Sequence, residues 1–152
     1  MDIMEISKEL IKRKFNLFNN KYFHSQLPMP NSFSVKSYRQ VAGQCIINTN
    51  GKKPRVSIII SRCFDFSEET LDETIIHEMI HYYLFLQGNK RWMKHGKAFK
   101  DECKRIQMLY GITIHKNAYH IHLNEKYKPK MTAMDKLLSV ILKPFILLLN
   151  RL

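Results

Sequence analysis

The run His77-Glu78-Met79-Ile80-His81 constrains this chain more than any other feature. It is embedded in apolar sequence, Thr74-Ile75-Ile76 before it and Tyr82-Tyr83-Leu84-Phe85-Leu86 after it. A segment that is apolar on every face must be buried, and its length and pattern predict a helix. On a helix, residues four apart share a face, one turn above the other. Burying two imidazoles and a carboxylate costs several kcal/mol unless they are paired or metal-bound. The spacing therefore predicts that His77 and His81 grip one zinc ion, with Glu78 beside them as the carboxylate that handles a water. The competing reading is a core helix whose histidines hydrogen-bond to backbone.

A catalytic zinc site needs a third protein ligand and an open position. Gly88-Asn89 is a helix-stop signal, and Asn89 to Lys94 reads as a loop. His95 then falls where a further helix begins, facing back toward the first. Its distance from His81 is longer than the metzincin pattern, whose third histidine follows closely. Asp101 and Glu102 are the rival third ligands, since zinc accepts a carboxylate as readily.

At these residues the chain resembles the SprT-like metalloprotease family. Phe18 to Pro28 is similar to the family's entry segment, and Gly43-Gln44-Cys45-Ile46-Ile47 and Val56 to Ser61 to its strands. Leu71 to His81 resembles its zinc helix, and His95-Gly96-Lys97-Ala98-Phe99 its third-ligand motif. The resemblance spans about residues 5 to 115. It implies an α+β, zincin-like minimal metalloprotease with one catalytic Zn2+, bound by His77, His81 and His95, with Glu78 as the catalytic carboxylate. The expected fold is an N-terminal helix, a three- to four-stranded sheet, the HExxH helix and a third-ligand helix, with an apolar C-terminal tail helix on which the resemblance is silent. The domain is expected to cover 1–128 and the tail 129–152. The chain departs from the family after Gly111, where no cysteine remains to build a zinc ribbon. His115, His120 and His122 read instead as a solvated or edge-strand cluster.

The elements follow from local pattern. Ile3, Ile6, Leu10, Ile11, Phe15 and Phe18 recur at helical spacing. Phe33 to Tyr38, Gly43 to Asn48 and Arg55 to Ser61 read as strands, with Asn50-Gly51 as a hairpin signal between the last two. The β-branched run Val56-Ser57-Ile58-Ile59-Ile60 suits a central strand. One strand edge is expected to pair with an extended substrate. Ser67, followed by Glu68 and Glu69, is an N-cap signal for the zinc helix, expected to end near Gln87. A third helix is expected from about Gly96 to Tyr110, stopped by Gly111, with Ile112 to Ile114 as a short strand.

Charge points to partners. The chain carries a formal +12 over 152 residues. Nucleic acid, an anionic membrane surface and acidic protein are the physical options for such an excess, alongside simple solubility. Lys90, Arg91, Lys94 and Lys97 surround Trp92 beside His95, a pattern able to track a phosphate backbone and stack a base. A protein substrate is the expected partner, with DNA as a candidate. The alternative function is a zinc-stabilised nucleic-acid-binding module without proteolysis. Tyr83, His115 and Tyr119 are candidate oxyanion donors that sequence does not place. The cysteines Cys45, Cys63 and Cys103 are odd in number and form no disulfide framework, and Met1 to Lys8 is no secretory signal, so the expected location is cytoplasmic. From Met131 to Leu152 the chain is mostly apolar, broken by Lys143 and by Pro144, which is expected to kink or break a helix. This run is too short to span a bilayer, and its readings are a docked terminal helix, a membrane-surface helix or a partner-binding helix.

Overall fold

The computed structural model describes residues 4–130 and 132–149, with side chains to residue 143. Ile3, Met131 and residues 150–152 of the tail reading lie outside these. The architecture is α+β: α1 (Lys8–Phe23), β1 (Ser32–Lys36), β2 (Gly43–Asn48), β3 (Arg55–Ser61), α2 (Glu68–Leu86), α3 (Lys97–Tyr110), a single 3-10 turn (Glu125–Tyr127) and α4 (Ala133–Leu149).

Helix α1 begins where Ser7 accepts a hydrogen bond from Leu10 N–H, capping an otherwise orphaned donor. It starts later and runs further than the apolar periodicity from Ile3 to Phe18 suggested. Ile11, Phe15, Phe18 and Tyr22 form its buried stripe at the expected helical intervals. The chain then reverses through two left-handed residues, His24 (φ 53°) and Ser25 (φ 57°). Asn19 secures that turn by bonding both the carbonyl (2.8 Å) and the N–H (3.1 Å) of Leu27. The largely buried Lys14 of α1 reaches Asp72 (2.5 Å) and Glu68 (3.2 Å) near the start of α2.

The sheet has three strands in the order β1-β3-β2. β3 is central, as its β-branched sequence predicts, and Ile58 and Ile60 are fully buried. β2 runs antiparallel to it, but the connection is a six-residue loop around Asn50-Gly51, from 49 to 54, not a two-residue turn. β1 runs parallel to β3, with Phe33 opposite Ile58. The expected strand at Ile112 to Ile114 does not form. That segment is irregular, and the chain instead makes one isolated bridge between Phe64 and Leu123. Ile114 is buried and joins the core from this irregular segment.

Helix α2 is the spine, packed against α1, α3, β2 and β3. Ser67 and Thr70 close a reciprocal capping box at its start, with Glu68 and Glu69 in the first turn. Its core face includes Leu71, Ile75, Ile76, Met79 and Ile80, all essentially inaccessible. Gly88, at φ 73°, turns the chain out of the helix. α3 buries Phe99 and Ile106 and ends at Gly111, φ 71°. α4 starts with a cap in which Thr132 and Asp135 bond each other's N–H groups. It continues through Pro144, against the expected break. Proline removes one N–H from the ladder and crowds one turn, at a cost of about 3 kcal/mol, and here that does not end the helix.

Candidate metal centre

The spacing of α2 places His77 and His81 one turn apart, and the 88–96 connection returns His95 to meet them. The three Nε2 atoms lie 3.0 Å (His77–His95), 3.1 Å (His81–His95) and 3.2 Å (His77–His81) from one another. Three nitrogens bound to one tetrahedral zinc at about 2.05 Å sit about 3.3 Å apart, close to this triangle.

The other ring nitrogens decide what those Nε2 atoms are. His77 Nδ1 donates to the carbonyl of His115 at 2.9 Å, and His81 Nδ1 donates to the carbonyl of Trp92 at 2.7 Å. A carbonyl only accepts, so both Nδ1 atoms carry the proton. Burial, reinforced by the neighbouring imidazoles, holds His77 down to about 3 and lowers His81, so both rings are neutral near pH 7. Each then presents a bare Nε2 lone pair to the other. Burial, with the Lys116 charge nearby, lowers His95 as well. Converging lone pairs repel unless a cation sits among them, so the donor set fits a metal ion. Phe99 forms the floor, its ring 4.6 to 4.9 Å from all three imidazoles and stacked on His81. Asp101 and Glu102 do not join: Asp101 pairs with Lys97 at 2.6 Å and Glu102 with Arg105 at 2.8 Å.

Glu78 sits next to this triangle and is 6% exposed. Burial raises its carboxyl to about 8, while the Cys45 backbone N–H pulls it the other way by hydrogen bonding. β2 crosses directly over it at Gly43. A Cβ there would fall 2.8 Å from Thr74 Cγ2 and 2.9 Å from Glu78 Oε1, so this position admits only glycine without movement.

A second group surrounds Glu73, one turn before His77. Glu73 Oε1 accepts from both the N–H and Nδ1 of His115 at 2.8 Å, and Oε2 accepts from His120 Nε2 at 2.9 Å. His115 and His120 are exposed, as the reading of a solvated cluster expects, and in addition both donate to Glu73. The carboxylate of Glu73 is nearly buried and needs donors, and the 112–124 segment supplies them. His122 contributes a backbone carbonyl to Asp65 instead. The latch holds the His115 carbonyl against His77. Sequence reasoning had no signal for it beyond a glutamate at helical spacing from His77.

Together these residues line an open cleft of about 700 Å³, with the edge strand β2 on one side and the His115–Ile121 segment on the other. Tyr119 stands 90% exposed along this cleft. Tyr83 lies away from it, packed on Phe23. In the basic loop, Lys90, Arg91, Lys94 and Lys97 are exposed beside His95. Trp92 is half-buried and lines the cleft, its indole edge-on to Phe85.

Fold and site define a mixed α+β protein whose central helix supplies two of three converging histidines able to hold a metal, with a buried carboxylate at their side. The SprT-like family model matches residues 11–122, and the chain belongs to that family. It is 30% identical over 125 residues to the DNA-dependent metalloprotease SPRTN of Bos taurus, covering 73% of this chain and 23% of that protein. To the protein of the same name from Homo sapiens it is 34% identical over 115 residues, covering 73% of this chain and 22% of that one. The chain thus spans less than a quarter of the length of these relatives.

Proposed function

We propose that this chain is a zinc-dependent metalloendopeptidase. The observation that carries the reading is the convergence of three Nε2 atoms next to a buried glutamate in an open cleft. A zinc ion on His77, His81 and His95 would supply Lewis acidity and bring the pKa of a water from 15.7 toward about 7. Glu78 takes the proton from the attacking water and delivers it to the leaving amine nitrogen. A carboxyl that burial lifts toward neutrality is suited to both halves of that exchange. The backbone carbonyls of His115 and Trp92 keep the two helix histidines in the tautomer that points a lone pair inward. β2 is an edge strand that lines the cleft from Gly43 to Cys45, a placement that suits pairing with an extended polypeptide.

The name of the mammalian relatives, DNA-dependent metalloprotease, suggests DNA-associated protein substrates here too. The exposed Lys90, Arg91 and Lys94 beside the site support it, with Lys97 and Trp92 as further contacts. Glu78→Gln tests the hydrolase reading: metal content stays, and casein cleavage falls by about 10²–10⁴-fold. Undiminished cleavage by that variant refutes the mechanism. Parent protein that binds zinc and single-stranded DNA but cleaves nothing, with or without DNA, establishes the non-proteolytic binding module instead.

A further inference from the structure

The C-terminal helix has no place in the cleft chemistry, and its surface is unusual. Every described side chain from Thr132 to Lys143 is exposed. Met134, Leu137, Leu138, Val140, Ile141 and Leu142 are each between 46% and 70% accessible. These are the residues a globular domain ordinarily buries, gathered on one element. At 100° per residue, Asp135, Lys136, Ser139 and Lys143 fall on a stripe roughly 100° wide, and the apolar residues cover roughly 200° of the remainder. A helix docked in one protein groove needs a narrower apolar face than this.

We propose that α4 is an interfacial helix that holds this domain on an anionic lipid surface. Three observations single out lipid. The helix carries a narrow polar stripe with lysines and a broad apolar arc, the pattern of helices lying in the headgroup region. Its surroundings are basic: from Lys126 to Lys143 there are five lysines and one acid, Asp135. Asp135 stays charged under the Thr132 cap, but it is one acid against five lysines, so the net charge facing an anionic surface is positive. The described part of α4 is short of a span: its seventeen helical residues rise about 25 Å against a hydrocarbon core of about 30 Å. No helix among the described residues is long and apolar enough to cross a membrane. In this arrangement α4 lies along the surface, with the Lys136 and Lys143 ammonium groups directed to headgroups and their stems over the apolar boundary.

The test is flotation of the full chain with phosphatidylglycerol/phosphatidylcholine vesicles and with pure phosphatidylcholine vesicles, alongside Leu138→Gln/Ile141→Gln. Both substituted residues are exposed and the exchange is charge-neutral, so the folded body and its net charge stay as they are. The parent floats with the anionic vesicles and not with the neutral ones, and the double variant binds them about 100-fold more weakly. Equal flotation of parent and variant overturns the proposal, because the basic body alone then carries binding. Equal flotation with neutral vesicles overturns the part played by lysines. A parent that stays in the aqueous fraction also refutes it. In that case a mass by light scattering twice that of the monomer, halved in the double variant, assigns the apolar arc to a second copy of the chain.

Discussion

Replacing Gly43 by alanine probes how closely β2 must lie on the site. The new methyl would sit 2.8 Å from Thr74 Cγ2, 2.9 Å from Glu78 Oε1 and 3.1 Å from Glu78 Cγ. Carbon atoms prefer 3.5–4.0 Å, so strand and helix must separate by roughly 0.7 Å or more. Neither neighbour yields easily. Thr74 is buried, β-branched and tied to the Thr70 carbonyl at 2.8 Å, and β2 is held along its length by β3. Overpacking of this kind costs about 1–3 kcal/mol, or roughly 3–10 °C in Tm for a domain this size. The larger effect falls on chemistry, because Glu78 is what the methyl displaces. A shift of about 1 Å in a catalytic group costs on the order of 10²-fold in rate. The methyl's three nearest atoms belong to Thr74 and Glu78 and none to a histidine, so metal content should stay at the parental level. The assay is kcat on casein, metal by mass spectrometry and a thermal melt, with Gly51→Ala as control. There the added Cβ meets only the Lys53 carbonyl, at 3.7 Å, and stability should change by less than about 0.5 kcal/mol. Full activity and an unchanged melt for Gly43→Ala would show that β2 does not press on Glu78 in the working protein.

His95→Ala should lose the metal, whereas Glu102→Ala should keep it, as measured by metal content after desalting. The reverse pattern makes a carboxylate the third ligand. Glu73→Ala frees the His115 segment and with it the carbonyl that orients His77, so metal affinity in a competition titration should weaken about 10- to 100-fold. Unchanged affinity refutes the latch. In metal-free protein, the Glu78 carboxyl is raised from 4.5 to about 8, so between these values the unfolded state has lost a proton that the folded state keeps. Its contribution is present below pH 4.5 and fades as pH rises toward 8. His77, lowered from 6.5 to about 3, acts in the opposite sense, withdrawing stability as pH falls from 6.5 toward 3. Chelated protein should therefore melt highest between these two flanks. Glu78→Gln should remove the alkaline fall and leave stability rising up to pH 6.5 through His77 alone, and an unaltered alkaline slope in that variant refutes the assignment.

The sequence by itself determined what lies within one or two turns of chain. Residues four apart on a helix must share a face, so His77 and His81 were legible as a pair, as were the Ser67 cap and the Gly111 stop. The β-branched composition of Val56 to Ile60 likewise gave away the central strand. Tertiary structure decided everything that joins distant segments. It chose His95 over Asp101 and Glu102 to meet the pair, because the 88–96 connection returns that ring while Lys97 and Arg105 occupy the acids. It placed the Gly43 backbone on Glu78 and the Phe99 ring beneath the imidazoles, and drew His115 and His120 onto Glu73. Ile112 to Ile114 has the composition of a strand, yet no edge of the sheet receives it. Its Ile114 enters the core from irregular backbone instead. Such contacts depend on loop closure and on which buried polar group needs a partner, and neither is written in any local period of the chain.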